Sequence, residues 1–159
     1  MSEPLGTFSW GDEGDYYHAI LLRMGEEFYG VPISVVKEII KPLPVTRFPK
    51  SPPFVEGVID LRGNILPIVH LRKMFGLEPL PMTEDSRFVD ISMPNLKLGI
   101  LVDAVSEVVR IPVKQIEPAP PIYAGIEGKY LKGIARMEDR LILMLNLDEV
   151  FGEWLHKTA

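Results

Sequence analysis

The chain has 159 residues, of which 47% are apolar and 25% charged, with a net charge of -5 and no cysteine. This composition is typical of a globular protein, and the length suits one domain or two small lobes that bury about 70% of the unfolded surface. The acidic balance argues against nucleic acid and anionic membrane as partners, because both select basic surfaces. Without cysteine, disulfides and thiolate metal sites are excluded. The longest apolar runs, such as 141–145, are of strand length, so no direct membrane insertion is expected.

Short segments rich in β-branched residues follow an N-terminal stretch, 1–15, that we expect to be a flexible tail. The predicted strands in chain order are 18–24, 28–33, 55–61, 65–71, 87–92, 97–102, 105–111, 130–137 and 140–145. Residues 35–40 fit either one helical turn capped by Ser34 or a buried strand.

Two proline-rich segments interrupt the predicted strands. Residues 41–53 contain five prolines and predict an irregular connection, and a second bridge lies at 118–121. After the last strand, the spacing of Leu147, Val150, Phe151 and Trp154 predicts a C-terminal helix in the segment 147–159.

The strand-rich part of the sequence repeats itself at two fixed offsets. At an offset of 69, the matches include Gly30 with Gly99, Val36 with Val105, Glu38 with Glu107 and Ile39 with Val108. At an offset of 76, they include Gly57 with Gly133, Ile65 with Leu141, Phe75 with Phe151 and Gly76 with Gly152. We infer two copies of one β unit, each closed as a small barrel because short strands rarely form a stable open sheet.

The stretch 57–72, GVIDLRGNILPIVHLR, predicts a β-hairpin with a tight Gly63-Asn64 turn and Arg62 at its edge. Its counterpart, 133–148, keeps the apolar frame but has Glu138-Asp139-Arg140 in place of Arg62-Gly63-Asn64. The scaffold is therefore repeated while Arg62 belongs to the part that differs, and we expect a partner to bind there.

The chain lacks the motifs typical of an enzyme. Its three histidines are far apart, and His70 is interpreted as a surface or half-buried strand residue. A glycine-rich phosphate loop, a GxSxG elbow and an HExxH motif are absent from the sequence. Glu38 and Glu107 occupy equivalent positions in the two copies, and we interpret them as repeated surface residues. We therefore predict no catalytic residues, no metal and no cofactor. A recognition scaffold is favoured, with Val36, Ile39, Val105 and Val108 along one seam for a partner helix.

The stretch EEFYGVPISVVKEIIKPLPVTRFPKSPPFVEGVIDLRGNILPIVHLRKMFG resembles the CheW family of bacterial chemotaxis coupling proteins, and LGILVDAVSEVVRIPVKQIEPAP continues the resemblance in the second half. It implies an all-β fold of two intertwined five-stranded SH3-like β-barrels with a short C-terminal helix, in which the CheW-like domain spans 16–152. The first barrel is expected at roughly 16–82 and the second at roughly 83–152, with strands possibly exchanged. The implied protein is a cytoplasmic, non-enzymatic adaptor at membrane-associated receptor arrays.

The resemblance also implies two partners: the cytoplasmic tips of methyl-accepting chemoreceptors, and the regulatory domain of the histidine kinase CheA. The receptor groove is expected between the barrels, with Arg62 pairing with Glu38 at its edge. The apolar positions that match this groove are Ile33, Val36, Ile39, Val102, Val105 and Val108. The positions that match kinase contacts are Leu43, Val45, Glu56, Gly57, Glu117 and Ile122.

Two residues depart from the family pattern. His70 stands where aspartate is usual, and Asp60 where asparagine is common before Leu61-Arg62. These departures leave the chemosensory pathway open, so an adaptor for twitching motility or development is an alternative. A protein of another class, a small-molecule-binding β-barrel with a polar pocket around His70, is a second alternative.

Overall fold

The computed structural model describes residues 15–158, with side chains up to Gly152. Its strands are β1 (Tyr16–Met24), β2 (Glu27–Pro32), β3 (Val36–Ile40), β4 (Val55–Leu61), β5 (Asn64–His70), β6 (Arg87–Met93), β7 (Leu96–Val102), β8 (Ala104–Pro112), β9 (Ile116–Glu117), β10 (Ile122–Tyr123), β11 (Ile126–Glu127), β12 (Leu131–Met137) and β13 (Arg140–Leu145). Its helices are α1 (Leu71–Met74) and α2 (Leu147–Thr158), and single 3-10 turns lie at Ile33–Val35, Val113–Gln115 and Gly128–Tyr130.

The all-β prediction and the C-terminal helix are confirmed, and each predicted strand is present within two residues of its predicted bounds. Residues 33–40 combine both expectations, because a 3-10 turn precedes the strand β3. Except for Asp15, the expected tail 1–15 lies outside the described residues, and so does the side chain of Trp154.

The chain divides into two compact units, which we call unit 1 and unit 2. Unit 2 is continuous and contains residues 36–105, whereas unit 1 combines 1–35 with 106–159. The sequence placed the division near residue 82 with strands possibly exchanged; the contacts place it at 35/36 and at 105/106. The first two strands of the chain therefore belong to the same sheet as its last two.

Unit 2 is a five-stranded sheet in the order β3-β6-β7-β5-β4. The segment that follows β3 crosses to the opposite edge, where the Thr46 N–H donates to the Val58 carbonyl over 2.9 Å and the Val58 N–H donates back over 2.9 Å. This crossing closes the sheet as a small barrel. Its interior is filled by the apolar side chains of Ile59, Leu61, Leu66, Ile68, Phe88 and Leu101.

Unit 1 contains a six-stranded sheet in the order β8-β1-β2-β13-β12-β9. Its two edge strands are joined by the 3-10 turn at Val113–Gln115, since β8 ends at Pro112 and β9 begins at Ile116. This short connection closes the second barrel. Its buried cluster consists of Tyr17, Ala19, Leu21, Ile111, Ala135, Ile142 and Met144.

The strand registers confirm the internal repeat at both offsets. In unit 2, Ile68 of β5 lies opposite Gly99 of β7, and in unit 1 Met144 of β13 lies opposite Gly30 of β2. These pairs are the same positions shifted by 76 and by 69 residues. The β-bulge in β4, between Val55 and Gly57, recurs in β12 between Leu131 and Gly133. The repeat therefore extends to the irregularities of the sheets.

Gly57 and Gly133 permit the crossing segments to lie against the sheet. A Cβ on Gly57 would lie 2.2 Å from the Thr46 carbonyl oxygen, and one on Gly133 would lie 2.6 Å from the Glu117 carbonyl oxygen. Both distances are too short for any side chain. The matching glycines that revealed the repeat are thus required for closing each barrel.

Candidate functional site

The hairpin of β4 and β5 carries Arg62 within its turn, not beside it as the sequence predicted. Leu61 pairs with Asn64, so the two turn residues are Arg62 and Gly63, with φ of 51° and 87°. Positive φ at both positions is the type I′ geometry of tight hairpins. The Gly63 N–H donates to Asp60 Oδ1 over 2.8 Å, a contact that an asparagine oxygen would also accept. The departure at Asp60 is therefore neutral for the turn.

In unit 2 the Arg62 guanidinium donates to the carboxylate of Glu38, which lies on the edge strand β3. The Arg62 side chain is 66% exposed, which limits the contribution of such a pair to about 0–1 kcal/mol. Ile39, the residue after Glu38, is exposed, and Val36 is half-buried on the same strand. The predicted Arg62–Glu38 contact is confirmed, and it lies beside an exposed apolar side chain.

Unit 1 contains the same arrangement, built from a different arginine. The Arg140 guanidinium donates to Glu107, which is the repeat equivalent of Glu38. Arg140 occupies the position equivalent to Asn64, on the other side of its turn, and its guanidinium also lies over the Phe28 ring, 4.9 Å from the centroid. Val108, next to Glu107, is 59% exposed. The position of Arg62 differs between the copies, as the sequence indicated, but the arginine–glutamate ion pair is present in both units.

Seven of the eight residues predicted for the receptor surface are at least partly accessible within their own units. In unit 1 these are Ile33 and Val108, and in unit 2 they are Val36, Glu38, Ile39, Arg62 and Val105. Val102 is different, because this residue, at the end of β7, is only 1% exposed. Its repeat equivalent, Ile33, is exposed in the 3-10 turn after β2. Val102 is thus a core residue and cannot contact a partner.

The residues predicted for kinase contacts differ in accessibility. Leu43, Glu117 and Ile122 are exposed. Val45 is half-buried and packs on the core of unit 2, while Glu56 is half-buried and accepts from Lys73 Nζ over 2.8 Å. Gly57 is buried in the bulge beneath Thr46, so its role is to shape the backbone.

Two features near these residues were not predicted. Phe48 is an exposed aromatic side chain in the proline-rich segment 41–53, where its apolar character was the available signal. Ile122 lies on the two-stranded hairpin of β10 and β11, whose turn residues Ala124 and Gly125 have φ of 52° and 81°. An alanine in a turn that favours Asn-Gly gives no sequence signal for a hairpin.

His70 is buried, with 7% exposure, in contrast to the expected surface or half-buried position. Its backbone N–H donates to the Phe54 carbonyl, and its Nδ1 atom has no hydrogen-bond partner among the described residues. Burial lowers the pKa of His70, with Glu56 and Asp103 opposing this shift and Lys73 and Arg72 supporting it. The neutral imidazole is therefore the form that the fold favours.

This burial predicts a pH-dependent stability. Because the folded pKa of His70 lies below 6.5, the unfolded chain binds more protons between that pKa and 6.5, and the free energy of unfolding falls as pH falls through this window. Urea unfolding from pH 7.5 to 5 should show the decrease in the wild type and a smaller one in His70→Gln. Both proteins keep every other titratable group, so the difference between the two curves isolates His70. His18→Gln, at an exposed histidine, is the control; equal pH dependence in all three proteins would contradict the assignment.

Among residues 15–158, no group of three or more His, Cys, Asp or Glu side chains is arranged to hold a metal ion. In the same part of the chain, no helix has the length and apolar character needed to cross a bilayer. Each unit does present an arginine–glutamate ion pair beside an exposed aliphatic side chain.

The fold and surface define a class of protein: a duplicated SH3-like β-barrel in which each unit presents an arginine–glutamate pair next to an exposed aliphatic residue. A family model described as the CheW-like domain matches residues 18–153. The chain belongs to the CheW family.

Relatives and a solved structure agree with this assignment over most of the chain. The chemotaxis protein CheW of Helicobacter pylori is 34% identical over 127 residues, which cover 80% of this chain and 76% of the relative. The probable chemotaxis protein CheW of Rhizobium etli is 32% identical over 153 residues, 96% of each chain. The crystal structure of the scaffolding protein TtCheW from Thermoanaerobacter tengcongensis superposes with a TM-score of 0.79 at 34% identity, covering 90% of this chain and 91% of that one. These findings support a role as a chemotaxis adaptor.

Proposed function

We propose that this protein is a non-enzymatic adaptor that couples the cytoplasmic tips of transmembrane chemoreceptors to the histidine kinase CheA. It acts in the cytoplasm, at membrane-associated receptor arrays. Membership in the CheW family and the likeness to a scaffolding protein support this role. The surface chemistry supports it as well, because apolar anchors with charged residues at their rim are typical of protein recognition.

The proposed receptor-binding residues are the accessible members of the predicted set, namely Ile33, Val36, Glu38, Ile39, Arg62, Val105 and Val108. The aliphatic side chains among them are suited to the apolar face of a helical receptor tip. Arg62 and Glu38 would fix its register. Val102 is left out because it is buried.

The proposed kinase-binding residues are Leu43, Val45, Glu56, Glu117 and Ile122, with Gly57 shaping the backbone beneath them. Exposure of Leu43 and Ile122 supports direct contact. Glu56 would contact the kinase while it remains ion-paired with Lys73. Phe48, exposed in the same proline-rich segment as Leu43, is a natural addition to this surface.

The observation that supports a partner-binding role most strongly is the conformation of Arg62. A non-glycine residue at φ 51° destabilises the fold by about 1–2 kcal/mol, and the exposed ion pair with Glu38 stabilises it by about 0–1 kcal/mol. Asparagine would suit this turn better than arginine. Stability therefore does not account for an arginine at this position, whereas contact with a partner would.

We expect Arg62→Asn to leave the free energy of unfolding unchanged or raise it by about 1 kcal/mol, because the turn becomes Asn-Gly. The same variant should lower receptor-dependent CheA autophosphorylation several-fold in an array reconstituted from the host's receptors and kinase. Arg136→Asn removes an exposed arginine on β12 and is the control for the charge change. Wild-type kinase stimulation by Arg62→Asn would contradict the role of this residue.

A further inference from the structure

Unit 2 contains a cavity of about 280 Å³ next to the Arg62 turn. Its walls come from β3, β4, β5, β6, β7 and the turn. The polar lining residues are Lys37, Arg62, Asn64, Asp90, Ser92 and Lys97, and the apolar ones are Leu61, Ile65 and Leu66. The volume is just below the ~300 Å³ at which ligand pockets commonly begin, and it suits a single side chain or a very small molecule.

Asp90 is the unusual residue of this cavity. It lies on β6 with 5% exposure, and burying a carboxyl group is costly unless it is paired or hydrogen-bonded. Burial raises the pKa of Asp90, with Glu38 acting in the same direction and Lys37, Arg62 and Lys97 opposing it. This shift favours the protonated form, which can donate a hydrogen bond.

The repeat provides an internal comparison for these positions. The unit 1 equivalents of Asp90, Lys97 and Leu61 are Leu21, Phe28 and Met137. All three belong to one apolar cluster in unit 1 or pack against it. The fold thus accepts a filled, apolar arrangement at this place. The polar cavity of unit 2 is consequently not a requirement of the barrel.

Three cationic side chains lie at the rim of the cavity. Arg62 is paired with Glu38, but neither Lys37 nor Lys97 forms an ion pair with any of the described residues. Both lysines are exposed, and Ile65 at the same mouth is exposed too. Two exposed ammonium groups without a salt-bridge partner, beside an aliphatic wall, complement an anion that has an apolar part.

We propose that this cavity binds a carboxylate carried on a short apolar stem, with Lys37 and Lys97 pairing with the carboxylate, Asp90 and Ser92 available for hydrogen bonds, and Leu61, Ile65 and Leu66 contacting the stem. The carboxylate has two sources, an acidic side chain of a protein partner or a free small carboxylic acid. The first source rests on the proposed adaptor function, and the second does not.

The first arm of the test is an amide-resolved NMR titration with butyrate, and butyramide serves as the uncharged control. We expect saturable shifts at amides of β5, β6 and β7 with butyrate, none with butyramide, and their loss in Asp90→Leu, which places the unit 1 residue in unit 2. Lys97→Gln should weaken the response at least threefold. Equal saturable shifts with butyrate and butyramide, or butyrate shifts that are unchanged in both variants, would overturn the site.

The second arm measures binding of the double variant Lys37→Gln/Lys97→Gln to receptor tips. If butyrate gives no saturable shift, at least a fivefold loss of receptor affinity in the folded double variant would assign the carboxylate to the partner. Absence of butyrate shifts together with wild-type affinity would overturn the inference. That result would leave the adaptor function intact, because wild-type receptor binding would still be present.

Discussion

Gly57→Ala is expected to lower the free energy of unfolding by about 2–6 kcal/mol. The residue has φ 145°, and its Cβ would lie 2.2 Å from the Thr46 carbonyl oxygen and 2.7 Å from Val45 Cγ1. Backbone strain contributes about 1–3 kcal/mol, and the steric overlap with the crossing segment adds about 1–3 kcal/mol. The crossing segment closes the barrel of unit 2, so its displacement should affect the whole unit.

Gly63→Ala is the matched control, because Gly63 also has a positive φ but a Cβ there would meet nothing within 4 Å. It should cost about 1–2 kcal/mol, from the backbone alone. Urea unfolding followed by circular dichroism measures both variants. Equal losses in the two would contradict the steric role of Gly57. If the variant stays folded, a loss of kinase binding by Gly57→Ala is expected from the displaced Val45 and Thr46.

Val108→Asp is expected to weaken receptor binding by about 10- to 100-fold, the range of a central apolar anchor. Val108 is 59% exposed on β8, so the folded state should lose about 1 kcal/mol at most, from strand propensity. The aspartate would also stand next to Glu107 and add repulsion. Co-sedimentation with receptor-containing membranes measures the affinity.

Val108→Leu keeps the apolar character and is the control for this substitution. Its receptor affinity should lie within about threefold of that of the wild type, since a larger aliphatic side chain at an exposed site causes little steric overlap. Receptor binding of Val108→Asp at wild-type strength, with both variants folded, would exclude Val108 from the surface. Ile39→Asp, the repeat equivalent in unit 2, extends the test to the other barrel.

Much of the fold followed from the sequence because the duplication was visible in glycines and aromatic residues. Gly57 and Gly133 match at the offset of 76, and the structure shows that both are required by a crossing segment. Strand registers then follow the same offsets, down to the bulges. Alternating apolar residues alone would have predicted strands but not which strands share a sheet.

The features that the sequence did not predict depend on contacts between residues distant in the chain. Val102 looked equivalent to Ile33, but β7 ends in the core while β2 ends in an exposed turn. Arg140 reaches Glu107 from the other side of its turn, so an alignment that compares Arg62 with Glu138 misses the repeated ion pair. The cavity at Asp90 has no sequence signature, because it depends on which side chains fail to fill a space that their unit 1 equivalents occupy.

The most direct measurement of the adaptor function is recruitment of CheA to receptor-containing membranes in the presence and absence of this protein. We predict that the kinase sediments with the receptors and is stimulated by them only when the wild-type protein is added. The double variant Arg62→Asn/Val108→Asp, folded but altered on the proposed receptor surface, should restore neither. Recruitment of the kinase without this protein, or full recruitment and stimulation by the double variant, would contradict the account.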